Sequence, residues 1–197
     1  MINLARANAL LDEHLKTEGL RKHSLATSLI MKALAVKFNE NVEDWEILGL
    51  LHDLDLDTTR DDMNRHTIVT VEILGKEGST HLGLPPGGGF PPGGGFPPEY
   101  LKAIKAHNEM TGVQRETRLE HALAAAESIT GLISACALVL PDKKISSIKS
   151  SSIRKRMKEK AFAKNVSRES IMECEKIGLT LDEFIEISLG AMKVMDH

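Results

Sequence analysis

Aromatic side chains are scarce in this chain: one Trp, one Tyr and five Phe make up 4% of its 197 residues. A core without them has to be assembled from Leu, Ile, Ala, Val and Met. β-Branched and aromatic residues nowhere form strand-like runs, which argues against a fold built on sheets. Cysteine is nearly missing too. Cys136 and Cys174 lack CxxC spacing and stand in helical patterns, so both read as buried thiols and no disulfide framework is expected. There is no excess of charge of one sign: 25 Lys and Arg face 28 Asp and Glu, a net −3, which removes the electrostatic case for a nucleic acid polymer. No apolar run approaches the roughly 18 residues of a membrane span. Residues 1–6 lack the apolar core of a signal peptide, so the expected localisation is cytoplasmic and no membrane partner is expected. Nucleophile chemistry has no signature either. The chain shows no GxSxG elbow, P-loop or GxGxxG fingerprint, and no Cys with a convincing His partner.

What remains is dominated by helical periodicity. The length and the 42% hydrophobic content fit a single domain over 1–197 with a sizeable core. The pattern predicts a helix over 2–17 closed by Gly19. A second, over 22–38, carries the apolar stripe Leu25, Leu29, Ala33 and Val36, widened by Ile30 and Leu34. A third opens at 41–43 and carries Trp45, Leu48 and His52. A fourth spans 61–74, with Gly75 as its terminator. Residues 83–98 contain PPGGGF twice, uncharged and unable to form a helix or a central strand. They predict a mobile surface loop, either a linker-like insertion without a role or one whose apolar tips Phe90 and Phe96 cover a neighbouring site. Pro98 restarts a helix that carries Leu101, Ile104 and His107 and ends near Gly112.

The longest stripe runs Leu119, Leu123, Ala126, Ile129, Ile133, Cys136 and Leu140, as far as Pro141. Ala122, Ala124, Ala125 and Ala126 would let another element approach closely, so this is the expected central helix. A basic segment over 143–164 follows, with nine Lys or Arg against one Glu. Ser167 caps the next helix, which ends at Gly178. A capping box at Thr180 and Glu183, with Leu179 and Phe184 as a hydrophobic staple, opens the last. The architecture is therefore all-α, with eight or nine helices.

His52-Asp53 closes the apolar run Ile47-Leu48-Gly49-Leu50-Leu51. As two letters it says little, since eight His and ten Asp in 197 residues give about 0.4 such pairs by chance. Its setting says more. Adjacent helical residues lie about 100° apart, so both side chains can face one point only at a helix end or a distorted turn. Imidazole beside carboxylate suits a divalent transition metal, while a helix-capping His52 next to a solvated Asp53 is the plainer account. His23 lies upstream; His66, His107 and Glu127 lie downstream. Glu127 is the only acid between Leu123 and Ile133, so its carboxylate must be solvated, paired or bound to a cation. Glu120, two turns earlier on the same face, leaves a solvent-facing alternative open. Asp55 and Asp57 could orient histidines, act as acid or base, or sit in a solvated loop. Lys149, Arg154, Lys155 and Arg156 could meet an anionic substrate or form a solvated face. His14, His81, His121 and His197 have no supporting context and read as surface residues.

The order His23, His52-Asp53, Glu127 resembles the HD-domain superfamily of metal-dependent phosphohydrolases, whose pattern is H…HD…D. Residues 46–55 look like that family's helix leading into the doublet. Ala103-Ile-Lys-Ala-His-Asn108 is similar to the helix that supplies an extra histidine in binuclear members, and residues 123–133 to the "AAD…GLI" helix. The similarity runs over 20–135, and the basic segment and C-terminal helices look like those of small prokaryotic members. One departure stands out: the fourth ligand, normally Asp, is Glu127 here. Its extra methylene allows ligation with a shifted backbone, or weakens one metal site.

The resemblance implies a compact all-α HD-type domain. His23, His52, Asp53 and Glu127 would hold a primary metal, and Asp53 would bridge to a second ion recruited by His66 and His107. One or two divalent ions (Fe, Mn, Zn, Ni, Co or Mg) would activate water against a phosphoester, with Asp53, His66 and His107 as the catalytic set. The implied substrate is a nucleotide or another small phosphomonoester, and a homodimer stays open. Two alternatives remain: a module that senses a metal, nucleotide or anion without turnover, and a di-iron oxygenase on an HD-like fold.

Overall fold

The computed structural model describes residues 2–80 and 96–196, and every regular element among them is helical. Helix α1 (Leu4–His14) opens on Asn3, whose side chain accepts the Arg6 N–H at 2.9 Å. It stops before the expected end, and Gly19 lies inside the first turn of α2 (Glu18–Phe38) rather than closing α1. Asp57 holds this junction. Its Oδ2 accepts the N–H groups of Lys16 at 2.6 Å and Thr17 at 2.9 Å, and its Oδ1 accepts the Thr17 hydroxyl. These bonds hold its carboxyl below the ordinary range. Asp57 is thus a bracket for the start of α2, not an acid or base of the site.

Helix α3 (Val42–Leu51), capped by the Asn41 side chain, packs along α2. Gly49 makes that approach possible. A Cβ on Gly49 would lie 2.8 Å from Ser28 Cα and 2.9 Å from both Ser28 N and Thr27 O. The packed face of α2 is accordingly Ser24, Ala26, Thr27, Ser28, Ile30, Met31, Leu34 and Ala35. Of the predicted stripe, Leu25 and Val36 point away from it, 44% and 66% exposed, while Ile30 and Leu34 are buried in it. Close backbone approach selects small residues where a count of apolar ones expects large.

Helix α4 (Leu56–Thr59) is a single turn that periodicity does not show. Helix α5 (Ile68–Thr80) begins later than expected and continues through Gly75. Residues 60–67 before it form successive turns, bonded Asp62 N to Thr59 O, Arg65 N to Asp62 O and Ile68 N to Arg65 O. The predicted loop falls on residues 83–95, outside the described residues, and on 96–98. Phe96 is not an exposed tip. It is 1% exposed and belongs to the core, because Pro97 leads straight into α6 (Pro98–His107) and the ring is carried inward with that helix. A 3₁₀ turn at Glu109–Thr111 then leads to Gly112, whose φ of 69° lies in the left-handed region.

Helix α7 (Arg118–Leu138) is the central element, contacted by α2, α6, α8, α9 and α10. Its alanines at 122, 124, 125 and 126 are all buried. By length and composition α7 could cross a membrane, but 72% of its most apolar window is buried inside the fold. Glu120 does not mark a solvent face. It completes a capping box with Thr117, is 1% exposed and meets Lys102 Nζ at 3.2 Å. His121 is not a surface residue either. It is buried, with Nδ1 2.7 Å from Glu173 Oε2, and Arg115 Nε donates to the other oxygen at 3.0 Å.

Helix α8 (Ser150–Lys158) carries much of the basic segment, and its two arginines are spent on neighbours. Arg154 Nε pairs with Asp182 at 2.7 Å. Arg156 pairs with Glu159 and lies over the Phe162 ring at 4.2 Å. Helix α9 (Arg168–Met172), capped by Ser167, continues as a 3₁₀ turn to Gly178 at φ 85°. Arg168 donates to the carbonyls of Arg156, Glu159, Phe162, Ala163 and Val166, gathering residues 156–166 around one guanidinium. The expected capping box opens α10 (Leu181–Met192), and Leu179 and Phe184 are both buried. Both cysteines are free and buried, and burial pushes the Cys174 thiol up to about 11.

Candidate metal centre

Helix α3 ends at Leu51, and residues 52–55 continue as turns with Leu56 N bonded to Asp53 O at 3.0 Å. That break lets two adjacent side chains face one point. His52 and Asp53 are buried, 0% and 4% exposed. His23 reaches them from α2, His66 from the turns before α5, and His107 from the last residue of α6.

The four imidazoles divide evenly between the two oxygens of Asp53. His52 Nε2 lies 3.3 Å and His23 Nε2 3.5 Å from Oδ2. His107 Nε2 lies 3.1 Å and His66 Nε2 3.4 Å from Oδ1. Two groups able to hold a metal ion result, His23-His52-Asp53 and Asp53-His66-His107, and they share the carboxylate.

Three of the rings have their other nitrogen fixed. His52 Nδ1 lies 2.8 Å from Gly49 O, His66 Nδ1 2.9 Å from Asp55 Oδ1, and His23 Nδ1 2.8 Å from Thr130 Oγ1. The Thr130 hydroxyl donates its own proton to Glu127 O at 2.6 Å, so it can only accept from His23. With Nδ1 protonated in these three rings, their Nε2 lone pairs turn inward. His23 and His52 then bring Nε2 atoms within 3.2 Å of each other beside an anionic oxygen. Acceptors face acceptors, which is unfavourable unless a cation lies among them. The donor set fits a divalent metal on this ground. Asp55 is the orienting carboxylate that one sequence reading anticipated: it also accepts the Thr70 N–H at 3.0 Å.

Electrostatics agree for His23 and His107. Burial lowers the His23 imidazole to about 4 and also lowers His107, which favours the neutral, ligating form. Burial disfavours the Asp53 carboxylate, but His52 and the hydrogen bond from His107 outweigh it and hold the group well below its usual range. For His52 burial acts downward, and the charge of Asp53 raises it on balance.

Glu127 stands apart. Its ligand atoms are in neither group, its Oε2 accepts from Ser128 Oγ at 2.7 Å, and burial raises its carboxyl. It lines a cleft of about 210 Å³ with His23, His107, Glu109, Ser128, Gly131, residues 165–167 and Ser170. The cations proposed from the basic segment do not line this cleft. His14 is partly exposed, in line with a surface role, while His81 and His197 lie outside the described residues.

The family model of the HD domain matches residues 20–133, more than half of the chain. The chain belongs to the HD domain family. No curated protein and no solved structure matches it significantly. HD domains are typically metal-dependent hydrolases of the phosphohydrolase type, and the matched span contains every histidine of the cluster. Within this HD domain, sequence reasoning missed Thr130 and the carbonyl of Gly49, which orient ligands, and Thr70, which holds Asp55. It also missed Asn108, whose side chain donates to Met63 O at 2.9 Å and His66 O at 3.0 Å and so holds the turn that presents His66. Spacing carries a faint signal for two of them: Gly49 and Thr130 each lie three helical positions from His52 and Glu127. Thr130→Val should leave the fold intact and weaken metal binding ~10–100-fold, the usual effect of losing an orienting partner. Metal titration followed by calorimetry would check this, and unchanged affinity would remove Thr130 from the site.

Proposed function

We propose that this HD domain is a metal-dependent phosphohydrolase that releases phosphate from a phosphomonoester, of nucleotide or smaller size. The observation that carries the reading is Asp53, one carboxylate presenting a separate oxygen to each of two histidine pairs. Divalent ions bound there would supply charge for the phosphoryl oxygens and a water whose pKa falls toward ~7.

The residues of the chain do the rest. Gly49 O, Thr130 and Asp55 keep three imidazoles in one tautomer. No Lys or Arg is among the described residues lining the cleft, so the negative charge of a phosphate is met at the histidine–aspartate centre. Four imidazoles around one carboxylate suit Fe, Mn, Co, Ni or Zn better than Mg, which prefers oxygen ligands.

Elemental analysis of the purified protein, paired with phosphate release from a panel of phosphorylated metabolites under Mn, Mg, Ni and Co, tests the reading. The expected result is one or two transition-metal equivalents and turnover that chelation removes and added metal restores. Protein that takes up no metal would instead support a sensing or structural module. Two irons with oxygen-dependent substrate loss and no phosphate release would support an oxygenase.

A further inference from the structure

The last part of the basic segment gathers around a cavity of its own. Lys160, Lys164 and Arg168 line a space of about 130 Å³ together with Val166 and Glu169, which leaves it an excess of two positive charges. Nothing in the chain neutralises them. Lys160, Lys164 and Glu169 make no ion pair or side-chain hydrogen bond among the described residues. Arg168 donates to five backbone carbonyls, has no carboxylate within ion-pair distance, and keeps a buried Nε–H without an acceptor. Carbonyl dipoles orient its charge without cancelling it, and a partly buried cation without a counter-ion is costly. An anion in the cavity would offset that cost.

The backbone beneath the lysines is fixed, although their side chains are exposed. The carbonyls bonded to Arg168 belong to residues 156–166, the stretch that carries both lysines. Within it Ala163 adopts φ 46°, a left-handed conformation that residues with a Cβ seldom enter. Val166 ties this cavity to the hydrolytic one. It lines both, and it is seated on α7, where a Cβ on Gly131 would lie 2.9 Å from its Cγ2. The two spaces are therefore one residue apart. The smaller one lies well below the ~300 Å³ at which pockets for drug-sized ligands begin, so it suits a single oxyanion group whose several oxygens can accept from both ammonium groups. We propose that Lys160, Lys164 and Arg168 form a second anion site that holds a phosphate group beside the hydrolytic cleft. On the phosphohydrolase reading above, on which this source rests, it is a second phosphate of the substrate; a free phosphate ion has the same chemistry.

Two measurements test this. In the full-length protein saturated with diamagnetic Zn, inorganic phosphate should shift the backbone amide resonances of residues 160–169, less so at high salt. Replacing both lysines (Lys160→Gln with Lys164→Gln) should weaken that titration by about fivefold or more, and circular dichroism verifies the fold. Kinetics of the metal-loaded protein then identify the source. The ratio of kcat/KM for fructose 1,6-bisphosphate over fructose 6-phosphate, or for adenosine 3′,5′-bisphosphate over AMP, should fall by about fivefold or more in the same double variant. A fall in either ratio assigns the site to a second phosphate of the substrate. Unchanged ratios with a weakened titration assign it to free phosphate. Unchanged ratios without a lysine-dependent titration overturn the inference and leave the phosphohydrolase reading standing. So do equal effects from Lys149→Gln with Lys155→Gln, which removes the same charge elsewhere in the basic segment. Absence of phosphate release from every substrate overturns the phosphohydrolase reading instead, and the titration then decides the anion site by itself.

Discussion

Replacing Asp53 by Ala should abolish metal binding and phosphate release together. Each histidine pair has the same carboxylate as its anion, through Oδ2 for His23 and His52 and through Oδ1 for His66 and His107. Removing it strips charge from both halves at once, whereas the loss of any one imidazole leaves the other half complete. Turnover should fall by about a thousandfold or more, since charge stabilisation by metal contributes several kcal/mol to such reactions. Asp53→Asn keeps the shape and removes the charge, so it separates ligation from packing. Elemental analysis and phosphate release read the effect, and circular dichroism verifies the fold. An Asp53→Ala protein with full metal content and turnover would refute the assignment of this centre.

Gly49→Ala should be the most damaging single methyl group in the described core. Alanine ordinarily favours a helix over glycine by about 1 kcal/mol. Here the added carbon meets backbone atoms of Thr27 and Ser28 at 2.8–2.9 Å, and backbone has no rotamer to turn aside. Overpacking typically costs 1–3 kcal/mol, and a clash with backbone belongs at the upper end or beyond, so the clash wins by about 2 kcal/mol. For a chain of this size that lowers Tm by roughly 4–8 °C. The clash also acts on function at a distance. Helix α3 must move off α2, which separates His52 from His23, and the Gly49 carbonyl that orients His52 moves with it. Metal affinity should therefore fall even though Gly49 contacts no ion. Thermal melts with and without metal test both parts, and an unchanged Tm would show that α2 and α3 do not need their close approach.

These two residues also show what could be read before the fold was known. The histidines of the cluster were legible because chain order and residue type carry them, and because the end of α3 is visible as the end of an apolar run. Gly49 was not, since its constraint comes from Thr27 and Ser28 on another helix. The same contact hid part of the true face of α2: where backbones approach closely the packed residues are Ser24, Ala26, Thr27 and Ser28 beside Ile30 and Leu34, and counting large apolar residues adds Leu25 and Val36, which are exposed. His121 was misread because its partner, Glu173, is 52 residues away. Glu127 was correctly singled out as an unusual acid in α7. Helical position alone could not say that its carboxylate would turn to Ser128 and stay outside the ligand groups.

The Arg168 guanidinium, bonded to carbonyls from Arg156 through Val166, has a consequence for how ligands could enter and leave. The floor of the site is woven into α2, α3 and α7, so opening it approaches global unfolding. Asn165 and Ser167 follow a segment whose backbone is gathered by one side chain through local bonds, with Phe162, Ala163 and Val166 resting on the edge of the core. Detaching that clasp would loosen the segment as a separate cooperative unit while the histidine–aspartate floor stayed folded. Amide hydrogen exchange would register this as two tiers of protection, with residues 159–167 exchanging ahead of α2 and α7.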